Sequence, residues 1–353
     1  MSETETSLAP KDNAFLLGHE EAEKMFLTAW QKNSLHQAWL ISGLKGIGKA
    51  TFAYKVARFL LSADESRRDS YTSLDVAADS PVFRQISGGS QPDFKLLERG
   101  YLKTERQKIA KAIRDGNYMS EEELGELKKS GVIAVDDVRV INEFLAKKSA
   151  NGCWRVVLID SVDEMNTASA NAILKILEEP PHKTLMLLVS HNPSRLLPTI
   201  RSRCAKLELK PLQDNIVASL LRRYRPEVSE SEVKKITAIA GGSIGKAIDY
   251  ADGNAAAYYD RICALAAAGR NFAAADMLKF CDEAVETDKN YDLFKELLLK
   301  YLSDKVRAFQ QIEAHAEAFD KATKIFAETD NLNLDKRLAV MNVMTGVCRE
   351  CLG

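Results

Sequence analysis

Residues Gly43 to Thr51 read GLKGIGKAT and stand between a short apolar run, Ala38 to Ile41 (AWLI), and a helical pattern that begins at Lys49. A loop of the form GxxxxGK[ST] between a strand and a helix leaves few folds open. Its glycines let successive backbone N–H groups point inward at the positive end of the following helix, where they cradle phosphate. Gly43, Gly48 and Lys49 supply the turn, the close approach and the ammonium, with Gly46 between them. Ala50 departs from the pattern. A hydroxyl at that position helps to hold magnesium, and a methyl group cannot. Thr51 lies one residue further on, turned about 100° round the helix, and is a poor substitute.

Three further apolar runs, Arg155 to Ile159 (RVVLI), Thr184 to Val189 (TLMLLV) and Ala205 to Leu209 (AKLEL), have the length of buried parallel strands. Helical patterns separate them. The one at Thr167 to Glu178 keeps Ala170, Ile173, Leu174 and Leu177 on one face and is ended by Pro180 and Pro181. This alternation predicts an α/β domain, a parallel sheet flanked by helices. A nucleotide site of this type needs an apolar strand ending in Asp, for magnesium, and then Glu, to activate water. Here the strand ends in Asp160 and Ser161, and a serine hydroxyl does not act as a general base near neutral pH without a partner. Asp163 and Glu164 read as solvated loop charges near a helix start.

At 353 residues the chain suits two or three domains rather than one core. A polar tail over 1–13 is expected to be disordered, with the α/β domain over 14–211 carrying a charged, helix-prone surface insertion at about 103–130. Two short helices with GGSIGKAID (Gly241 to Asp249) suggest a small helical lid over 212–253. Apolar spacing in AAADMLKFCDEAV and LFKELLLKYL predicts an all-α domain over 254–353. No run reaches the roughly 18 to 20 apolar residues of a membrane span, and the first residues lack the parts of a signal peptide. With 49 Lys and Arg against 50 Asp and Glu, the whole chain has no basic field for nucleic acid, so a DNA contact must be local or shared with partners. Six scattered cysteines, Cys153, Cys204, Cys263, Cys281, Cys348 and Cys351, suit a reducing cytoplasm. Cys348 and Cys351 form a CxxC with no second pair nearby, so it reads as two idle thiols.

Several motifs in fixed order extend the reading: LLGHE (Leu16 to Glu20), the loop at Gly43, the strand to Asp160, NAILKILEEPP (Asn171 to Pro181) and PTIRSRC (Pro198 to Cys204). Together they resemble the AAA+ clamp-loader subunits of bacterial DNA polymerase III. The resemblance implies an AAA+ P-loop domain, a helical lid and a helical oligomerisation collar. It implies that Arg203, in the SRC tripeptide, reaches the nucleotide of a neighbouring subunit as an arginine finger. A guanidinium on a short rigid segment suits that role, whereas Arg201 keeps an ordinary structural reading. Ser190 occupies the place of the polar sensor. The lid arginine of a GSxR pattern is missing, since Gly242, Ser243 and Ile244 are followed by Gly245, and Lys246 is one residue out of step. The four-cysteine zinc module of many members is not expected, because Phe59 to Asp93 contains no cysteine.

The partners implied are the gamma/tau ATPase subunits, the delta subunit, the sliding clamp and, through the assembled complex, primer-template DNA, with no membrane. No cofactor is required on this reading, and ATP or ADP with magnesium binds weakly at best. The competing reading is an active AAA+ ATPase, a gamma/tau-like motor, since Lys49 and the glycines survive. A small-molecule P-loop kinase leaves SRC, LEEPP and the helical C-terminal part unexplained.

Overall fold

The computed structural model describes residues 9–117, 119–120, 123–124, 127–147, 149, 154–269, 273–309 and 311–350. Residues 1–8 of the expected tail, Cys153 and Cys351 of the CxxC lie outside them. Contacts divide the chain into one unit of residues 1–216 with 242–245 and a second of 217–241 with 246–353.

The first unit is built on β1 (Ala38–Ser42), β2 (Phe94–Leu97), β3 (Arg155–Asp160), β4 (Thr184–Ser190) and β5 (Ala205–Glu208), in the order β2-β3-β4-β1-β5. Every pairing is parallel. Strand alternation sends Trp39 and Ile41 into one apolar layer and Ala38 and Leu40 into the other. The first layer packs under α1 (Glu20–Gln31) and α2 (Lys49–Ser62), with Phe26, Trp30, Phe52 and Phe59 buried. The second packs under α5 (Val135–Ala146) and α6 (Thr167–Glu178), through Val138, Ile141 and Ile173. Between these lie α3 (Pro81–Ser87) and α4 (Lys103–Arg114), and the short α7 (Pro198–Arg201) precedes β5. Each fully buried large apolar side chain is worth about 1.5 to 3 kcal/mol. The two-faced sheet therefore holds the unit, and the polar α4, with Glu105 as its buried residue, adds little.

Three features differ from expectation. The strand β2 has no counterpart among the four apolar runs, because Lys95 interrupts a four-residue, half-buried edge segment. Residues 10–13, expected in a disordered tail, are tied down. The buried Arg58 guanidinium stacks over Phe83 at 3.9 Å and donates to the carbonyls of Asn13 (2.9 Å), Pro10 (3.4 Å) and Lys11. The stretch 212–253 holds three helices rather than two: α8 (Asp214–Tyr224), α9 (Glu230–Ala240) and α10 (Ile244–Asp252).

The second unit continues through α11 (Ala255–Ala268), α12 (Ala274–Ala284), α13 (Asp288–Arg307), α14 (Ile312–Leu332) and α15 (Lys336–Glu350). Its core includes Phe280, Phe294, Leu297 and Leu298, with Phe326 packed edge-on to Phe294.

Candidate functional site

Parallel register brings Ser42, Asp160 and Ser190 to one edge of the sheet, with Ser42 opposite Ser190 and Asp160 opposite Val189. The loop after β1 leaves this edge through three glycines with φ of +144° at Gly43, +79° at Gly46 and +101° at Gly48, a region where a side chain is strained. Gly43 is also sterically required, because a Cβ there would stand 2.4 Å from the Leu209 carbonyl oxygen. His19 Nε2 braces the loop at the Ile47 carbonyl, 2.6 Å away.

This loop is turned in on itself. The buried Lys49 Nζ donates to the carbonyls of Gly43 at 2.8 Å and Leu44 at 2.6 Å, so the ammonium is held by the loop that it would help to charge. Residues 242–245 lie against the same loop: Gly245 N–H donates to the Gly46 carbonyl at 2.8 Å and Ser243 Oγ to the Lys45 carbonyl at 2.9 Å. A Cβ at Gly245 would stand 2.8 Å from Gly46 Cα, so the place of the lid arginine has no room for a side chain. Lys246 pairs instead with Glu296 in the second unit. With the half-buried Ala50 methyl in the place of a hydroxyl and Thr51 half-buried beside it, this loop lacks one side-chain ligand for magnesium.

At the strand ends, burial raises the Asp160 carboxyl and lowers the Lys49 ammonium to about 8. Ser161 Oγ–H donates to Asp160 Oδ1 at 3.2 Å and lies 2.8 Å from His191 Nε2. In the tautomer that satisfies both contacts, His191 Nε2–H donates to Ser161. Its Nδ1 is then buried with no partner among the described residues. Burial and the Lys49 charge lower the His191 pKa, which favours the neutral ring. Protons thus point from histidine to serine to aspartate, so Ser161 gives its proton to Asp160 rather than taking one from a neighbour. Asp163 is not the solvated loop charge that its sequence position suggested. It accepts from Ser190 Oγ at 2.6 Å, from His191 N–H and from Asn192 N–H at 3.3 Å, so the sensor serine is already engaged.

Arg203 is elsewhere. It stands two residues before Ala205, whose partner in β1 is Trp39, at the edge of the sheet opposite Gly43. With about 3.3 Å of rise per strand residue, roughly 20 Å separates it from its own loop. Its Nη2 pairs with Glu178 Oε1 at 2.8 Å and Nη1 donates to the Thr199 carbonyl at 3.0 Å. The side chain remains 35% exposed on the wall of a cleft of about 580 Å³ that Glu178, Pro180, His36 and Gln37 also line. Neighbouring Ile200 and Cys204 are buried and anchor the segment, and burial pushes the Cys204 thiol up to about 11.

Residues 18–213 match the family described as DNA polymerase III, delta subunit. The chain belongs to the DNA polymerase III delta subunit family. It is 32% identical over 208 residues to the DNA polymerase III subunit delta' of Pseudomonas aeruginosa, covering 58% of this chain and 53% of that one. To the subunit delta' of Escherichia coli it is 27% identical over 226 residues, 63% of this chain and 56% of that one. To the subunit tau/gamma of Haemophilus influenzae it is 27% identical over 300 residues, 83% of this chain and 37% of that one. The chain therefore spans about half the length, or less, of these curated relatives.

In this member of the DNA polymerase III delta subunit family, the fold brings together Gly43, Gly46, Gly48, Lys49, Asp160 and Ser190 at one edge and sets Arg203 apart from them. Sequence reasoning missed His191, Asp163 and Glu178. Each acts through a contact with a residue distant in the chain, and their motif positions carried no sign of it. Among the described residues, no His, Cys, Asp and Glu cluster could hold a metal, and no helix is long and apolar enough to cross a membrane.

Proposed function

We propose that the chain is the delta-prime subunit of a DNA polymerase III clamp loader, acting in the cytoplasm during replication. It turns over no ATP of its own and donates Arg203 to nucleotide held by a neighbouring gamma/tau subunit while the sliding clamp is loaded on primed DNA. It requires no cofactor and carries no zinc. Its helices from residue 254 onward serve as the collar that joins it to gamma/tau and delta, and its primer-template contacts are made through the assembled complex. The observation that carries this reading is the register of β1 and β5, which sets Arg203 roughly 20 Å from its own loop and leaves it exposed. An arginine so far from its own nucleotide loop serves a site on another chain. The self-engaged Lys49 and the missing base at Ser161 support the loss of hydrolysis.

The test is a clamp loader reconstituted from all its subunits with Arg203→Ala. Assembly should stay near wild type, while DNA-stimulated ATPase and clamp loading fall. A lost arginine finger lowers the rate at one site by roughly 10³ to 10⁵, and the other sites of the complex mask part of that. Lysine at 203 should rescue poorly, because an ammonium lacks the planar fork. Wild-type rates with Arg203→Ala would return this arginine to a structural role. A gamma/tau-like motor is the second reading, favoured by the similarity to a tau/gamma subunit across 83% of this chain. Measured ATP turnover by the isolated chain decides between them.

A further inference from the structure

Glu178 is the last residue of α6, where the helix presents its negative pole and a carboxylate is unfavourable unless a cation stands beside it. Leu177 before it is buried, and Pro180 follows on the cleft wall, so the backbone that carries Glu178 is fixed by apolar packing and by a proline stop. Its carboxylate meets the guanidinium of Arg203 at 2.8 Å while the Thr199 carbonyl takes a second N–H. Two acceptors on two short, anchored segments hold one fork. A guanidinium has five N–H donors, so three remain for an incoming anion, beside an open cleft. Both side chains are part-exposed, at 35% and 49%, and pairs of this kind add little to stability. The contact therefore matters for where the arginine stands rather than for the fold.

We infer that Glu178 is a positioning residue for Arg203, holding its guanidinium in the orientation from which it meets a neighbouring subunit's phosphate. This rests on the trans role proposed above for Arg203. The held geometry spares the arginine the loss of rotamer freedom when the neighbouring site closes.

The experiment uses the full chain in the reconstituted loader, with E178A, E178Q, R203A and the double variant E178A/R203A, each checked for assembly by gel filtration. E179A serves as a control that removes a neighbouring exposed carboxylate. E178A should lower the DNA-stimulated kcat about threefold to tenfold with KM for ATP unchanged, as misplacement of a group that acts in the transition state does. E178Q should recover part of the loss, since its amide oxygen still accepts, and E179A should be silent. The double variant should be no slower than R203A alone. R203A impaired with E178A at the wild-type rate would overturn the inference and leave the trans reading standing. The inference falls equally if E178A slows the R203A background further, or if E178A runs faster than wild type, which would make the pair a restraint. Wild-type turnover in R203A would remove the trans reading itself and the inference with it.

Discussion

Lys49 carries the titration that reports the state of the loop. Burial lowers its pKa from 10.5 to about 8, and the nearby charges of Asp160 and Asp163 offset that only in part. Between about pH 8 and 10.5 the unfolded chain then binds more protons than the folded one, so stability rises with pH across that window. Below pH 8 both states are protonated, the slope vanishes and the penalty is present in full. The change is on the order of 2 to 3 kcal/mol. Relative to Lys49→Met, the wild-type protein should therefore gain stability between pH 8 and 10.5, a window that lies above the titration of His191, which the Lys49 charge also shifts. Urea unfolding of both proteins across this range measures it. A constant difference would mean that the ammonium is solvated and free of the Gly43 and Leu44 carbonyls.

α6 links the two edges of the sheet that matter here. It starts near the nucleotide edge, where the Asn166 side chain caps it by accepting from Ser169 N–H at 2.9 Å, and Ser169 Oγ ties it to the Ile133 carbonyl at 2.8 Å. It ends at Glu178, on the Arg203 edge. Asn166→Ala should destabilise the protein by about 1 kcal/mol, and Asn166→Asp should restore nearly all of it. Chemical denaturation reads both. An alanine variant as stable as wild type would show that Ser169 and the apolar face hold this end unaided. The helix was legible in advance because its apolar period and its two terminal prolines are local. The strand β2 was not, because four residues interrupted by Lys95 carry no period, and only its pairing with β3 makes them a strand.

The purified chain as a whole should release no phosphate from ATP above background. Ala50 offers no magnesium ligand, Lys49 is turned to its own loop, and the relay from His191 through Ser161 ends on Asp160. A phosphate-release assay with magnesium checks this, with Lys49→Ala as the control. Turnover that survives the change belongs to a contaminant. Turnover abolished by it would make the chain a working ATPase and favour the motor reading.

What the sequence determined by itself was the class of fold and the chemical losses in its loop. Both are written in short windows: apolar runs with loop signals at their ends, three glycines, and one methyl and one hydroxyl where a hydroxyl and a carboxylate belong. Hydrophobic pattern marks which side chains leave water, and it does so without knowledge of their partners. Tertiary structure decided which polar groups meet. Asp163 finds Ser190 across 27 positions and Ser243 finds Lys45 across 198. Glu178 meets Arg203 because α6 and α7 approach one another at the foot of the sheet. Such pairs depend on strand register and helix packing, and a residue's type fixes only what it can donate or accept. For the same reason SRC marked Arg203 as unusual, while only the register of β1 and β5 showed that it stands at the edge of the sheet opposite its own loop.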